Sequence, residues 1–305
     1  MMLMYDRMEG RLVKTFVALW EERSISRSAE RLGYVQSTVT VHLKLLEEQL
    51  GHQLFVRSSR GITPTESGEK AAPFMYRFLQ LASMMEEAMA GSDSPKGIVS
   101  IRLLESFYVS EWGNWLGRFL QEYPDIRVKI ETGFQTDTVR EVLRHRIELG
   151  IVPLQPEAEE LLFEPLIEDE LVIAVSQNWG RKWAVEGWGA LEGAPLLSFG
   201  EQCIYHTVGH RWLQEQHQAV EHMALPSLDM VKQLIKSGVG IACLPRRTIE
   251  QDAAEGRIVI LPMNKPVTIK HGIITHRERT LSTAARLFKE ALLKQFSATN
   301  EEDET

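Results

Sequence analysis

A chain of 305 residues, 44% apolar and 25% charged, has the balance of a globular protein of two or three domains, which excludes fibrous and disordered classes. No apolar run approaches the roughly 20 residues needed to cross a bilayer. Charges at Asp6 and Arg7 interrupt the N-terminus, so no secretory signal or membrane association is expected. Cys203 and Cys243 are the only cysteines, too few for a disulfide scaffold or a zinc cluster, and the expected compartment is the cytoplasm. The net charge of −8 opposes nucleic-acid binding until its distribution is considered. Residues 1 to 60 carry nine basic against seven acidic side chains, a net +2, which leaves −10 for the remainder. Any contact with DNA is therefore confined to the N-terminal part and depends on salt.

Taken in order, Leu12, Phe16 and Leu19 fall at i, i+4 and i+7 with Trp20 adjoining, which predicts a first, supporting helix over 10–22. A short second helix spans Ser26 to Leu32, with Ala29 and Leu32 inward and Gly33 at the turn. The third, Gln36 to Gly51, buries Val39, Leu43, Leu46 and Leu50. Its other face carries Gln36, Ser37, Thr40, Val41 and Lys44, which are short, mostly polar groups. Two helices joined by a tight glycine turn make a helix-turn-helix whose second helix fits a major groove, although an ordinary helical hairpin shares that geometry. Next come Leu54-Phe55, Arg57, Arg60, the Gly61 turn and Thr65. These predict a two-stranded wing whose arginines reach phosphates or a narrow minor groove.

This block resembles the winged helix-turn-helix of LysR-type transcriptional regulators. The shared features are an alanine-bearing second helix, Gln36 opening the recognition helix, Leu46-Glu47 near its end, the Leu54-Phe55-x-Arg57-x-x-Arg60 run, and Thr65-x-x-Gly68. The resemblance implies DNA contacts at Arg27, Arg31, Gln36, Ser37, Thr38, Thr40, Val41, Lys44, Arg57, Arg60 and Thr65. Two departures stand out. Val35-Gln36-Ser37 replaces the usual Ser-Gln-Pro, so the usual capping hydroxyl is missing. Val41 and Leu45 stand where arginines are common, which shifts phosphate binding to Arg27, Arg31, Lys44, Arg57 and Arg60. The family pattern begins near Met8, leaving open whether Met1 or Met8 is the start.

A long helix is expected over Glu66 to Ala90. Phe74, Phe78, Leu81, Met85 and Ala88 repeat at 4-3-4-3, the seam of a two-stranded coiled coil, with Pro73 kinking its first part. The resemblance implies dimerisation through this helix, as a homodimer or homotetramer. Residues 91–97 read as a linker. Beyond it, strands and helices alternate. Strands are expected at Ile98–Leu104, Ile126–Ile130 and from Ile151, and helices at Phe107–Tyr123 and Thr138–Arg146. A second lobe follows, with strands at Leu171–Val175, Pro195–Phe199, His222–Leu225 and Gly240–Leu244 and helices at Thr207–Gln216 and Leu228–Lys236. The strand Val267–Thr275 and helix Thr283–Phe296 return to the first lobe, and the acidic tail Asn300–Thr305 reads as disordered. Such succession implies a parallel sheet with ligand sites beyond its strand ends.

The expected fold class is therefore α/β. A winged helix-turn-helix at 8–68 is followed by a linker helix and linker at 69–97. A two-lobed α/β effector domain at 98–298 comes last, similar to periplasmic binding proteins; its first lobe is 98–166 with 267–298 and its second 167–266. Crossings near Pro165–Asp169 and Pro262–Pro266 make a hinge. In the cleft, Ser106 at a strand-to-helix turn is the leading effector contact, because helix N–H groups and a hydroxyl converge there. A plain cap is the competing reading, and Glu105 would repel an anion. Phe134, Gln135 and Val152 share the cleft from the first lobe, and Phe199 and Gln202 from the second. A regulator binding double-stranded promoter DNA and a small effector, for which a carboxylate is one candidate, needs no cofactor and is not an enzyme. An alternative keeps the DNA module and makes the C-terminal domain a redox or metal sensor. Cys203, His206, His210, His217 and His222 invite that reading, but they complete no HExxH pattern, and Cys243 sits in an apolar strand.

Overall fold

The computed structural model describes residues 8–58, 61–90, 95–107, 112–216, 221–263 and 265–302. Arg60, His217 and the first seven residues, on which parts of the sequence reading rest, lie outside these. Three helices open the chain: α1 (Gly10–Glu22), α2 (Ile25–Leu32) and α3 (Gln36–Leu50). Leu12, Phe16 and Leu19 of α1 are fully buried with Ala29, Val39 and Leu46, so the predicted apolar stripes meet in one core. Ser24 caps α2, accepting from the Arg27 amide, and Gly33 ends it at φ 69, the left-handed conformation that glycine reaches without strain. A wing follows, β1 (Phe55–Ser58) antiparallel to β2 (Gly61–Pro64).

Thr65 begins α4 (Glu66–Ala90): its hydroxyl accepts from the Gly68 amide at 3.0 Å and donates to the Gln53 carbonyl at 2.6 Å. Pro73 lies inside that helix. Along α4, Phe74, Leu81 and Met85 are 68, 62 and 64% exposed in the single chain. The helix is also anchored to the C-terminal domain, since the Gln80 amide donates to Glu148 at 3.2 Å and to the Thr280 carbonyl at 2.6 Å.

The C-terminal domain has two large hydrophobic cores and a smaller third cluster around Val142 and Ile274 among the described residues. β3 (Gly97–Leu103) runs parallel to β4 (Ile126–Thr132) and to β5 (Leu149–Val152). Between them lie α5 (Trp112–Glu122) and α6 (Gln135–Leu143). β6 (Leu161–Ser176) is a single 16-residue strand. It passes straight through Pro165–Asp169, so the expected crossing is a strand and not a loop. Its first part pairs antiparallel with β11 (Val267–His276), which in turn pairs antiparallel with β5. Its last part pairs with β9 (Ala242–Pro245) and β10 (Ile258–Leu261), both antiparallel. The sheet is therefore mixed, not parallel as expected, because β6 and β11 carry the chain out of one lobe and back.

The second core gathers around α7 (Gln177–Glu186), α8 (Ile204–Glu215), α9 (Leu228–Lys236) and α10 (Arg246–Ala254), with β7 (Leu196–Ser198) parallel to β8 (His222–Ala224). α7, α10, β10 and the first half of β6 have no counterpart in the sequence reading. α11 (Thr283–Glu302) packs Phe288, Leu292 and Phe296 on the first core. Its backbone continues through Asn300–Glu302, where a disordered tail was expected.

Candidate functional site

The first site is the outer face of α3. Val39 and Leu46 hold the helix down, and Gln36, Ser37, Val41 and Lys44 are exposed along its other side, with Thr38 and Thr40 half-buried between. Position 35 is the N-cap but supplies no side-chain cap, as the missing hydroxyl predicts. Thr40 spends its hydroxyl on the Gln36 carbonyl at 3.0 Å. Val41, 53% exposed, presents an apolar surface to whatever the helix meets.

Two further residues position this face: Glu47, noted in the sequence only as part of the Leu46-Glu47 pair, and His42, which the sequence reading missed. Glu47 accepts from the amides of Leu54 at 2.7 Å and Phe55 at 3.2 Å, tying the end of α3 to the wing. His42 is buried, shares a 2.9 Å hydrogen bond with Thr15 and meets Tyr34 edge-on at 5.4 Å. Burial lowers its pKa, so it acts as a neutral strut. A polar residue beside the buried stripe of a helix is the signal that could have found it.

The cations divide into two sets. Arg57 on β1 is exposed and makes no ion pair among the described residues. Lys44 lies 3.7 Å from Glu48, an exposed pairing that holds little energy. Arg31 is paired with Glu21 at 2.5 Å and Glu22 at 3.3 Å, and Arg27 with Glu22 at 3.4 Å. The structure thus places two of the expected phosphate ligands in pairs with the end of α1, because α1 and α2 cross there.

The second site lies between the lobes. Ser106 stands in a 3-10 turn (Glu105–Phe107) at the end of β3 and is 5% exposed. Its hydroxyl is 2.8 Å from that of Tyr205, on the first turn of α8 in the opposite lobe. The Tyr205 hydroxyl is 3.5 Å from His271 Nε2, at a break in the β11–β6 register between His271 and Gly272. Such bulges re-aim side chains, and Gly272 is required because a Cβ there would overlap the Phe163 ring. Burial pushes the Tyr205 hydroxyl up and holds His271 neutral with a pKa of about 4. Burial likewise raises Asp169 to about 6, against hydrogen bonds from the Arg247 and Glu170 amides.

Leu104 and Phe134 of the first lobe, with Phe199 of the second, pack against the second-lobe core, so the lobes meet through apolar contacts as well. Gln135 is half-buried and Gln202 exposed. Val152 requires correction. It is fully buried with Val142, Ile147, Leu161 and Ile274 inside the first lobe, because β5 is buried along its whole length. It is part of that core and lines no cleft. Tyr205 and His271 join the site instead, and neither carries a sequence signal, since only the closure of the lobes brings them to Ser106.

Cys203 and Cys243 are buried free thiols, and burial pushes Cys203 up to about 11 and Cys243 higher still. Thiols so protonated are poor redox sensors. His206 contacts His222 with ring centroids 4.3 Å apart, and both bond to the Ser198 hydroxyl. Among the described residues no three histidine, cysteine or acidic side chains are arranged to hold a metal ion, and no helix is long and apolar enough to cross a membrane.

A three-helix head with a wing, a long exposed apolar helix, and two lobes closing on buried polar groups define a DNA-binding regulator with a ligand domain. Comparison with known proteins agrees. Residues 11–69 match the bacterial regulatory helix-turn-helix protein of the lysR family, and residues 92–297 match the LysR substrate binding domain. The chain belongs to the LysR family of transcriptional regulators. It is 28% identical to the HTH-type transcriptional regulator CzcR of Bacillus thuringiensis, over 82% of each chain. Against the HTH-type transcriptional regulator YusT of Bacillus subtilis the identity is 26%, over 93% of this chain and 95% of that one. Among solved structures, ArgP from Mycobacterium tuberculosis superposes with a TM-score of 0.74 at 17% identity, covering 95% and 98% of the two chains. Full-length OxyR from Pseudomonas aeruginosa gives 0.71 at 20%, covering 95% and 94%. LysG from Corynebacterium glutamicum with bound effector Arg gives 0.66 at 15%, covering 94% and 97%.

Proposed function

We propose that the chain regulates transcription by setting the exposed face of α3 into the major groove of promoter DNA, under control of a small molecule taken between its lobes. The observation that carries this reading is the α3 face itself, with Gln36, Ser37, Val41 and Lys44 presented outward over a buried Val39 and Leu46. A glutamine at a helix start can pair bidentately with adenine, and a valine can meet a thymine methyl. Arg57 and Arg60 of the wing serve phosphate or groove shape. Arg27 and Arg31 join them only by leaving Glu21 and Glu22.

The division of labour follows the expected boundaries, with the head at 8–68, the linker helix at 69–97 and the effector domain beyond. The unpaired Phe74, Leu81 and Met85 support dimerisation through α4, as a homodimer or homotetramer. Ser106, Phe134 and Phe199 mark the effector position, with Gln135 and Gln202 at its rim. LysG holds an amino acid as its effector, which keeps a carboxylate among the candidate ligand classes here. The protein acts without catalysis and in the cytoplasm.

Binding measured against a panel of operator base changes tests the DNA reading. Gln36→Ala should cost about 1–3 kcal/mol and act unevenly across those changes. Arg57→Ala should weaken all sequences alike and lower the salt slope. Uniform weakening by Gln36→Ala would contradict the base-reading role.

A further inference from the structure

The C-terminal end of α1, with the neighbouring α2, faces β4 and the end of α6 across a cavity of about 640 Å³ between the DNA-binding head and the first lobe. Both charge signs line it, and its carboxylates are already engaged. Glu21 accepts from Arg31 and from the Tyr76 hydroxyl at 3.1 Å, and Glu22 takes Arg27 and Arg31. Glu131 holds Arg146 at 2.6 Å and Lys129 at 3.0 Å, and Glu141 holds Arg146 and Arg140.

Two guanidinium groups differ from the rest. Arg23 has a buried Nη1 with no hydrogen-bond partner among the described residues. Among the described residues Arg144 has one ion pair, with the exposed Glu69 at 3.2 Å. Both lie on the ring of Trp20, Arg23 at 4.6 Å and Arg144 at 6.0 Å from its centroid. Burial lowers the Arg23 pKa, with Tyr76, Glu69 and Glu141 acting against it and the charge of Arg144 adding to it. A buried cationic N–H without an acceptor, close to a second like charge, is an unfavourable arrangement that an anion would relieve.

We propose that this cavity is a second ligand site, separate from the cleft between the lobes, in which Arg23 and Arg144 clamp a small phosphate-type oxyanion between the head and the first lobe. Guanidinium forks match the oxygens of such an anion two at a time. Both cations pack against the Trp20 ring. The backbone of Arg23 gives the site a route to DNA. Its amide donates to the Leu19 carbonyl as α1 ends at φ 52, and its own carbonyl accepts from the Ile62 amide of the wing at 3.2 Å. An anion held by its side chain therefore fixes the wing against the first lobe. By linkage, DNA and anion then alter each other's affinity by the same factor.

Calorimetric titration of inorganic phosphate into the full-length protein, at constant ionic strength in chloride, tests this. The wild type should show one saturable site per chain. Arg23→Gln and Arg144→Gln should each weaken it at least tenfold, while Ser106→Ala in the cleft leaves it unchanged. Melting without phosphate should be no lower in Arg23→Gln, since an uncompensated buried charge is removed, and its phosphate-induced rise in Tm should vanish. Arg144, whose side chain is 31% exposed, carries the test if the Arg23 variant does not fold. Absence of saturable heat in the wild type would overturn the proposal, as would unchanged binding in both arginine variants. Loss in Ser106→Ala alone would move the anion to the cleft and overturn it too.

Discussion

Tyr205 reaches across from the second lobe to the hydroxyl on which an effector was expected to bind. Its contact with Ser106 at 2.8 Å is buried, so the two hydroxyls already partner each other. Removing the Tyr205 hydroxyl leaves that of Ser106 unsatisfied, and removing Ser106 leaves Tyr205 only the longer 3.5 Å contact with His271, so each of Ser106→Ala and Tyr205→Phe should cost about 1–3 kcal/mol of stability. The double variant should cost clearly less than the two single costs added, because both remove the same bond. Chemical denaturation of the four proteins gives the coupling, and strict additivity would mean that the lobes are not joined there. His271 beside Tyr205, and His145 packed on His276 near the far end of β11, give the protein a pH dependence. Burial holds each near a pKa of about 4, helped at His145 by the charges of His276 and Arg279. Since the unfolded chain takes these protons near pH 6.5 and the folded chain only near 4, stability is full above 6.5 and falls as pH drops through that window. Each contributes at most about 2–3 kcal/mol between pH 7 and 4. Urea midpoints should fall from pH 7 to 5, and less steeply in His271→Gln. A flat profile would contradict burial of the neutral ring.

Among the elements, α4 was the most legible. Its span and its exposed stripe are those the 4-3-4-3 spacing predicts, because an amphipathic helix declares its seam by period alone. The single chain shows which seam residues lack internal company. Phe78 is 39% exposed and lies near Gly10, whereas Leu81 is 62% exposed. Leu81→Glu should therefore separate a dimer without disturbing the fold, with loss of operator binding alongside, because like charges would oppose each other in a dry interface. Sedimentation at micromolar concentration reads this, and a dimer surviving the change would place the interface elsewhere. Strands were less legible. β10 is four residues long, and the first half of β6 mixes Glu164, Pro165 and Glu168 with apolar residues, so no clean alternation marks it. Its register is imposed by β11, a partner a hundred residues away. Gln135 likewise opens a helix that the periodicity started at Thr138, because the first turn of α6 is half-exposed and leaves no stripe to read.

At the level of the whole molecule, local pattern revealed the parts and left their contacts unread. The recognition face, the wing and the two-lobed order follow from periodicity and resemblance. The Ser106–Tyr205–His271 contact, the Gln80 anchor and the pairing of Arg31 with Glu21 depend on long-range packing that no local signal encodes. The joints between head and lobe are polar. Glu148, nearly buried, accepts from Gln80 on the linker helix and from both the amide and the hydroxyl of Ser282. The linker helix is therefore tied directly to the first lobe. Base reading by α3 in a two-fold regulator is tested by selecting binding sites from random double-stranded DNA with wild type and Gln36→Ala. The wild type should enrich an inverted repeat with half-sites about one helical turn apart or a multiple of it. Gln36→Ala should relax the preference at one symmetric pair of positions. Absence of any enriched sequence with the wild type, or the same motif unchanged at every position in the variant, would contradict base reading by α3.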